Sequence, residues 1–199
     1  MSYQSELNHT TDRLCGFERL RVDVGQTGFF EGREFRTFKE LNIAATATYV
    51  IKAVVPLNII LMELKANLDG GWLRIGTYAL GTEGGTFSET LPILGANNMA
   101  LGVNRRKSYS GAAYAPQVVL TAGGTHTGGT ELDVLRIKTN ANSNFAASVG
   151  DASDSERGVA ANTYYFRLLN LSSTDAVTGT FSARWEERAS GFFLPTGTV

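Results

Sequence analysis

The chain has one cysteine in 199 residues, Cys15, so an intrachain disulfide is excluded and no thiolate cluster for zinc is present. It has two histidines, His9 and His126, and only four prolines. Charge is sparse at 19% of residues, with 18 basic side chains against 19 acidic ones and a formal charge of −1. That balance argues against a dedicated nucleic-acid binder, whose phosphate contacts need a basic excess. The one basic triplet, Arg105-Arg106-Lys107, reads as a solvated loop. No apolar run approaches the roughly 18 residues of a membrane-spanning helix. The polar start, MSYQSELNHTTDRLCGF, lacks the apolar centre of a signal peptide. The expectation is a chain made and folded in a reducing cytoplasm, held together by core burial or by burial against neighbouring chains.

What the chain does have is β-branched and aromatic sequence. Phe29 to Ala66 is dense in such residues, which lose rotamer freedom in a helix and pack well on a pleated sheet. Phe17–Val24 and Phe29–Leu41 alternate apolar and polar residues, the second only in part. In Thr48–Val55, Tyr49, Ile51, Ala53 and Val55 share a face opposite Lys52. After a corner at Pro56, Ile59–Ala66 sets Ile60, Met62, Leu64 and Ala66 against Glu63 and Lys65. Asp69-Gly70-Gly71 is a tight-turn signal, so Ile59–Ala66 and Trp72–Tyr78 form the expected hairpin. Weaker strands such as Ala115–Ala122 lie between two Gly/Thr segments, residues 81–86 and 123–130. Glu131–Thr139, Thr163–Leu171 and Thr178–Glu187 close the series. In the last, Phe181, Ala183 and Trp185 face one way, and Ser182, Arg184 and Glu186 the other. Residues 140–162 are polar and small and read as a long surface loop. About eight to ten strands and no helix predict an all-β fold, a single jelly-roll-like β-sandwich over residues 17–189. An extended N-terminal arm, 1–16, and a C-terminal tail, 190–199, flank it.

Candidate chemistry is thin. His9 lies in the polar arm and His126 between glycine pairs in an expected flexible turn, and neither sits in a triad motif or beside a nucleophile elbow. Glu186 and Glu187 alternate across a strand, so only one can face a given site, and a solvated strand edge accounts for them. A hydrolase would need Glu131, Glu186 or Glu187 to be paired in a cleft. Asp151, Asp154 and Glu156 do not match the spacing of a calcium loop. The recurring Gly-Gly-Thr lacks the lysine and helix of a phosphate-binding loop and reads as turns. Trp72, Tyr78, Tyr109 and Tyr114 could stack on a sugar, although aromatics on strands are more often core. The expectation is a chain with no enzymatic activity, no metal and no cofactor.

The polar arm and the apolar Phe192-Phe193-Leu194 suit ordering by a neighbouring subunit, by strand addition at a sheet edge. Phe192, Phe193, Leu194, Leu14 and Phe17 are therefore the candidate partner-binding residues.

RVDVGQTGFFEGREFRTFKEL, then TYVIKAVVPLNIILMEL, then GGWLRIGTYALGTEGGTFSETLPIL resemble small virion structural proteins of tailed bacteriophages, over roughly residues 20–100. The resemblance implies a β-rich homo-oligomer, such as a trimer, located in the virion. It would be a capsid decoration (cement) protein or a neck- or tail-accessory protein. Its partners would be itself and other virion proteins such as major capsid or tail proteins, with no nucleic acid and no membrane. The other function in view is a carbohydrate-binding, receptor-contacting module of a phage fibre.

Overall fold

The computed structural model describes residues 9–12, 17–20, 33–95, 115–139, 145–149 and 158–187. Among the described residues sixteen strands run in the order β1 (His9–Asp12), β2 (Phe17–Leu20), β3 (Glu34–Ile43), β4 (Thr48–Val55), β5 (Ile59–Gly70), β6 (Trp72–Ala79), β7 (Thr82–Gly84), β8 (Glu89–Thr90), β9 (Ile93–Gly95), β10 (Val119–Ala122), β11 (Thr125–Thr127), β12 (Thr130–Lys138), β13 (Phe145–Val149), β14 (Gly158–Val159), β15 (Asn162–Asn170) and β16 (Val177–Glu187). The described part is all-β, without a helix. Its two large antiparallel sheets pack face to face as a sandwich. Sheet I has the order β12-β6-β15-β4-β10-β8, and sheet II the order β13-β5-β16-β3-β9 with β14 also on β5. Two small pairs, β1–β2 and β11–β7, account for the other described strands. The first of them pairs part of the expected arm with Phe17–Leu20 of the same chain.

The pairing is nested. β3 pairs with β16 in sheet II and β4 with β15 in sheet I. β5 then pairs with β13 in sheet II and β6 with β12 in sheet I. The chain is thus one long antiparallel hairpin whose successive rungs fall alternately in the two sheets. This order corrects the hairpin expected for Ile59–Ala66 and Trp72–Tyr78: β5 and β6 are consecutive but lie in different sheets. Asp69-Gly70-Gly71 is a corner between sheets, where Gly71 has φ +99° and a Cβ would come within 2.7 Å of Val177. Turn chemistry marks a reversal of the chain; it does not say which strand lies alongside afterwards.

Alternation along the strands places the core. Phe35, Leu41 and Ile43 of β3, Ile51, Ala53 and Val55 of β4, Leu73 and Ile75 of β6, and Phe181, Ala183 and Trp185 of β16 are all buried in one cluster. Phe166 and Phe181 meet across the sheets at 5.8 Å. Each such ring removes apolar surface worth about 1.5–3 kcal/mol from water. On β5 the expected face holds for Leu64 and Ala66 and fails at its start. The register with β16 shifts between Arg184 and Trp185, so Trp185 pairs with Leu61 and Glu187 with Ile59. That β-bulge inverts the alternation: Ile59 joins the core cluster, while Ile60 is buried outside it. Part of the expected 140–162 loop is also strand, because β13 and β14 both pair with β5.

Two buried polar side chains tie the ends of this framework. Asn170, at the end of β15, donates from its amide nitrogen to the carbonyls of Ile43, Ala44 and Asp175 at 2.7–3.0 Å. Its oxygen accepts from the Ser172 N–H at 2.8 Å, so one amide holds both the β3–β4 and the β15–β16 corners. Glu187, at the end of β16 in sheet II, is fully buried. Its carboxyl oxygens accept from the backbone N–H groups of Gln117 (2.9 and 3.0 Å) and Val118 (3.0 Å) and from the Trp185 indole N–H (3.2 Å). Gln117 and Val118 lead into β10 of sheet I, so this group bridges the sheets. Glu187→Ala strands those donors at about 1–3 kcal/mol each. The expected loss is about 3 kcal/mol or more, read as a lower urea midpoint with an unchanged slope. Glu187→Gln, which keeps one acceptor oxygen, loses less. A Glu187→Ala midpoint equal to that of the unaltered chain would contradict the bridge.

Candidate functional site

The outer face of sheet I carries the densest polar chemistry among the described residues. β6 and β15 set Tyr78 and Tyr165 directly opposite one another. With Val50 and the partly buried Phe87 they form a second, small apolar cluster apart from the main core. Between β6 and β12 the chain adds β8 and β10 to the far end of sheet I and β9 to sheet II, while the short strands β7 and β11 pair with each other. The two Gly/Thr segments are therefore partners: Thr125 pairs with Gly84 and Thr127 with Thr82.

His126, on β11, is buried and not in a flexible turn (5% exposed). Its ring stacks on Tyr165 with centroids 3.7 Å apart and planes 10° apart. Nε2 lies 2.6 Å from the Leu80 carbonyl and so carries the proton, while Nδ1 accepts from Arg167 Nε at 2.9 Å. Arg167 in turn covers the Tyr78 ring at 3.9 Å and donates to the Gly128 carbonyl. Room for the imidazole depends on Gly81, which has φ +101° and where a Cβ would come within 2.4 Å of Nε2.

Each phenol is also held by a carboxylate. Tyr165 donates to Glu83, which pairs with Lys52 at 2.7 Å. Tyr78 donates to Glu131 at 2.7 Å, which pairs with Arg74. Lys52 also lies 5.5 Å from the Phe87 ring. The result is two Tyr–Glu–cation clamps flanking one histidine. A third unit of the same kind links Tyr49, Glu89 and Lys39. The hydrogen bond from Lys52 is the main cause that lowers Glu83, and that from Tyr78 the main cause that lowers Glu131. Burial, with the hydrogen bond to Glu83 second, pushes the Tyr165 phenol up to about 12. Desolvation lowers His126 below the usual histidine range. Chemically this assembly fastens the β7–β11 pair onto sheet I. His126 has both nitrogens occupied and presents no free base.

The other candidates fall apart in space. Glu131 is in a clamp and Glu187 is the sheet bridge, while Glu186 is buried and lies cross-strand from Glu34. The solvated strand edge expected for Glu186 and Glu187 is thereby corrected: β16 is interior to sheet II, between β5 and β3, and both residues are buried. Trp72 is exposed with Lys138 over its ring at 5.0 Å, and Tyr78 is buried under Arg167. His9, Leu14, Phe17, Tyr109, Tyr114, Asp151, Asp154, Glu156, Phe192, Phe193 and Leu194 lie outside the residues whose side chains are described. Among the described residues no group of three or more His, Cys, Asp and Glu side chains is placed to hold a metal ion. Sequence reading missed Glu83, Lys52 and Arg167. The available signal was the Gly-Gly-Thr repeat around His126, read as independent turns instead of as two halves of one pair. Comparison with family models, curated proteins and solved structures finds no match to this chain.

The histidine sets an acid sensitivity. The folded chain holds His126 below its ordinary value of about 6.5, so the unfolded chain takes up the proton first. Its contribution is complete above about pH 6.5 and falls as pH drops through that value. Glu83, Glu89 and Glu131, all lowered, act in the same direction, and their stabilisation is lost below about pH 4.3. Urea midpoints should therefore fall between pH 7.5 and 5.5. In His126→Gln that slope should flatten, and an unchanged slope would remove His126 from the account.

Proposed function

We propose that this chain is a non-enzymatic structural protein of a bacteriophage particle. In this reading it is a homo-oligomeric capsid decoration (cement) protein or a neck- or tail-accessory protein, acting through contacts with itself and with other virion proteins. The nested pairing β3–β16, β4–β15, β5–β13, β6–β12 supports a jelly-roll reading. That architecture occurs in viral capsid and lectin domains, and as support for function it is analogy alone. The commitment of His126, Glu131 and Glu187 to closed internal bonds supports a structural role for them.

The observation that carries the reading is exposed apolar surface on sheet I. On β12, which ends that sheet, Leu132 and Val134 are 55% and 46% exposed. Val54 of β4 and Val119 of β10 are exposed cross-strand neighbours. Apolar side chains left exposed on the strands of a sheet, those of an edge strand above all, suit burial by another chain. Sedimentation velocity on the purified chain should give an oligomer. The double variant Leu132→Lys, Val134→Lys should shift it to a smaller species while keeping the β-rich circular dichroism spectrum. A wild-type chain that sediments as a clean monomer would contradict the proposal.

A second reading, a carbohydrate-binding module of a fibre, is favoured by one specific feature. Trp72 borders a groove of about 590 Å³ whose other walls include Lys138, Thr139, Ser172 and Asp175. An exposed indole beside hydroxyl, ammonium and carboxyl groups suits a sugar ring. On a glycan array this reading expects a signal that Trp72→Ala removes; a blank array for the intact chain would end it.

A further inference from the structure

The interior of the sandwich is sealed unevenly. Leu73, Ile75, Leu168 and Val177 are at most 1% exposed, whereas Tyr164, Phe166 and Ala183, equally inside by alternation, keep 6–9%. The difference is a cavity of about 550 Å³ between the sheets, walled by Ala53, Leu120 and Phe166 from sheet I and by Leu64, Ala183 and Trp185 from sheet II. The sequence accounts for it. Two inward positions carry alanine between large neighbours: Ala53 between Ile51 and Val55, and Ala183 between Phe181 and Trp185. The wall reaches the surface at Leu132, which is exposed.

This space opens to solvent on one side and leaves apolar side chains of the core short of the packing partners found elsewhere between the sheets. It lies within the range of small-molecule sites, roughly 300–1,000 Å³. Among the described residues its lining is mostly apolar, with Asp133 as the charged side chain and no Lys, Arg or His to receive an acid head group. The Tyr164 hydroxyl is already donated to the Ala160 carbonyl at 2.9 Å. We propose that this cavity is a binding site for an uncharged apolar small molecule, of the class of a long-chain alcohol. The two sheets would close around its chain, and Trp185 would lie in contact with it. The proposal is independent of the assembly role, since the oligomer test and the binding test can fail separately.

The test uses the full chain and the uncharged probe N-phenyl-1-naphthylamine. Saturable one-to-one enhancement of its fluorescence is expected, with quenching of tryptophan emission that is lost in Trp185→Phe. 1-Dodecanol should displace the probe, and dodecanoate at the same concentration should not. Ala53→Leu and Ala183→Leu fill the cavity, and each should weaken probe binding tenfold or more while raising the melting temperature. Absence of saturable binding would overturn the proposal. So would equal displacement by dodecanoate, or undiminished binding by filled variants that keep the native circular dichroism spectrum. Should neither filled variant fold, the tryptophan quenching decides: its loss in Trp185→Phe supports the site, and its persistence in that variant, or its absence from the unaltered chain, overturns it.

Discussion

The carboxyl group of Glu187 is the point on which the two sheets depend at one end of the sandwich. It sits on the last residue of β16, inside sheet II, and collects the backbone N–H groups that introduce β10 of sheet I. Apolar contact between sheets is strong but does not fix their relative position, because it scales with area and has no direction. Hydrogen bonds from named donors to one buried group do fix it. Asn170 plays the matching part at the opposite end, where β15 stops and two corners must be held together.

Between these ties, the nested order explains the remaining features. A long hairpin rolled so that its rungs alternate between sheets needs a corner after almost every strand, which is where Pro56 to Asn58 and Gly71 fall. At the turn of that hairpin, between β6 and β12, the chain inserts the β7–β11 pair, and the Tyr–Glu–cation clamps with His126 hold that pair against sheet I. Partly exposed ion pairs contribute little singly. Here the Glu83 and Glu131 pairs are each joined to a phenol and through it to the hydrogen-bonded His126–Arg167 pair, and such a network keeps its geometry better than separate pairs would. The same roll leaves an outward face, which the clamps cover in part, and an inward face whose two alanines open a cavity.

Much of this was legible in the sequence at the level of single strands. β4 was readable to its last residue because Tyr49, Ile51, Ala53 and Val55 recur at every second position, although Val50 on the opposite face is buried as well, beside Tyr78 and Tyr165; Phe181, Ala183 and Trp185 marked the inner face of β16 directly. The partnership of strands was not legible. Asp69-Gly70-Gly71 looks the same whether the chain turns back into its own sheet or crosses to the other, and long-range pairing decided it. The β-bulge near Met62 was equally hidden, since Ile59 to Met62 are all apolar and offer no alternation to break. Glu186 and Glu187 misled for a related reason. A charged pair at a strand end reads as solvated unless the buried donors that receive it, more than sixty residues away in sequence, are known.

Native-state hydrogen exchange resolved by residue tests the bridging of the sheets most directly. The account predicts that the amides of Gln117 and Val118, although they precede β10, exchange only through global unfolding. Their protection should match that of Ile51 and Leu168 in the centre of sheet I. Exchange of Gln117 and Val118 as fast as that of the exposed Ser173 amide would show that Glu187 does not hold them, and would contradict it.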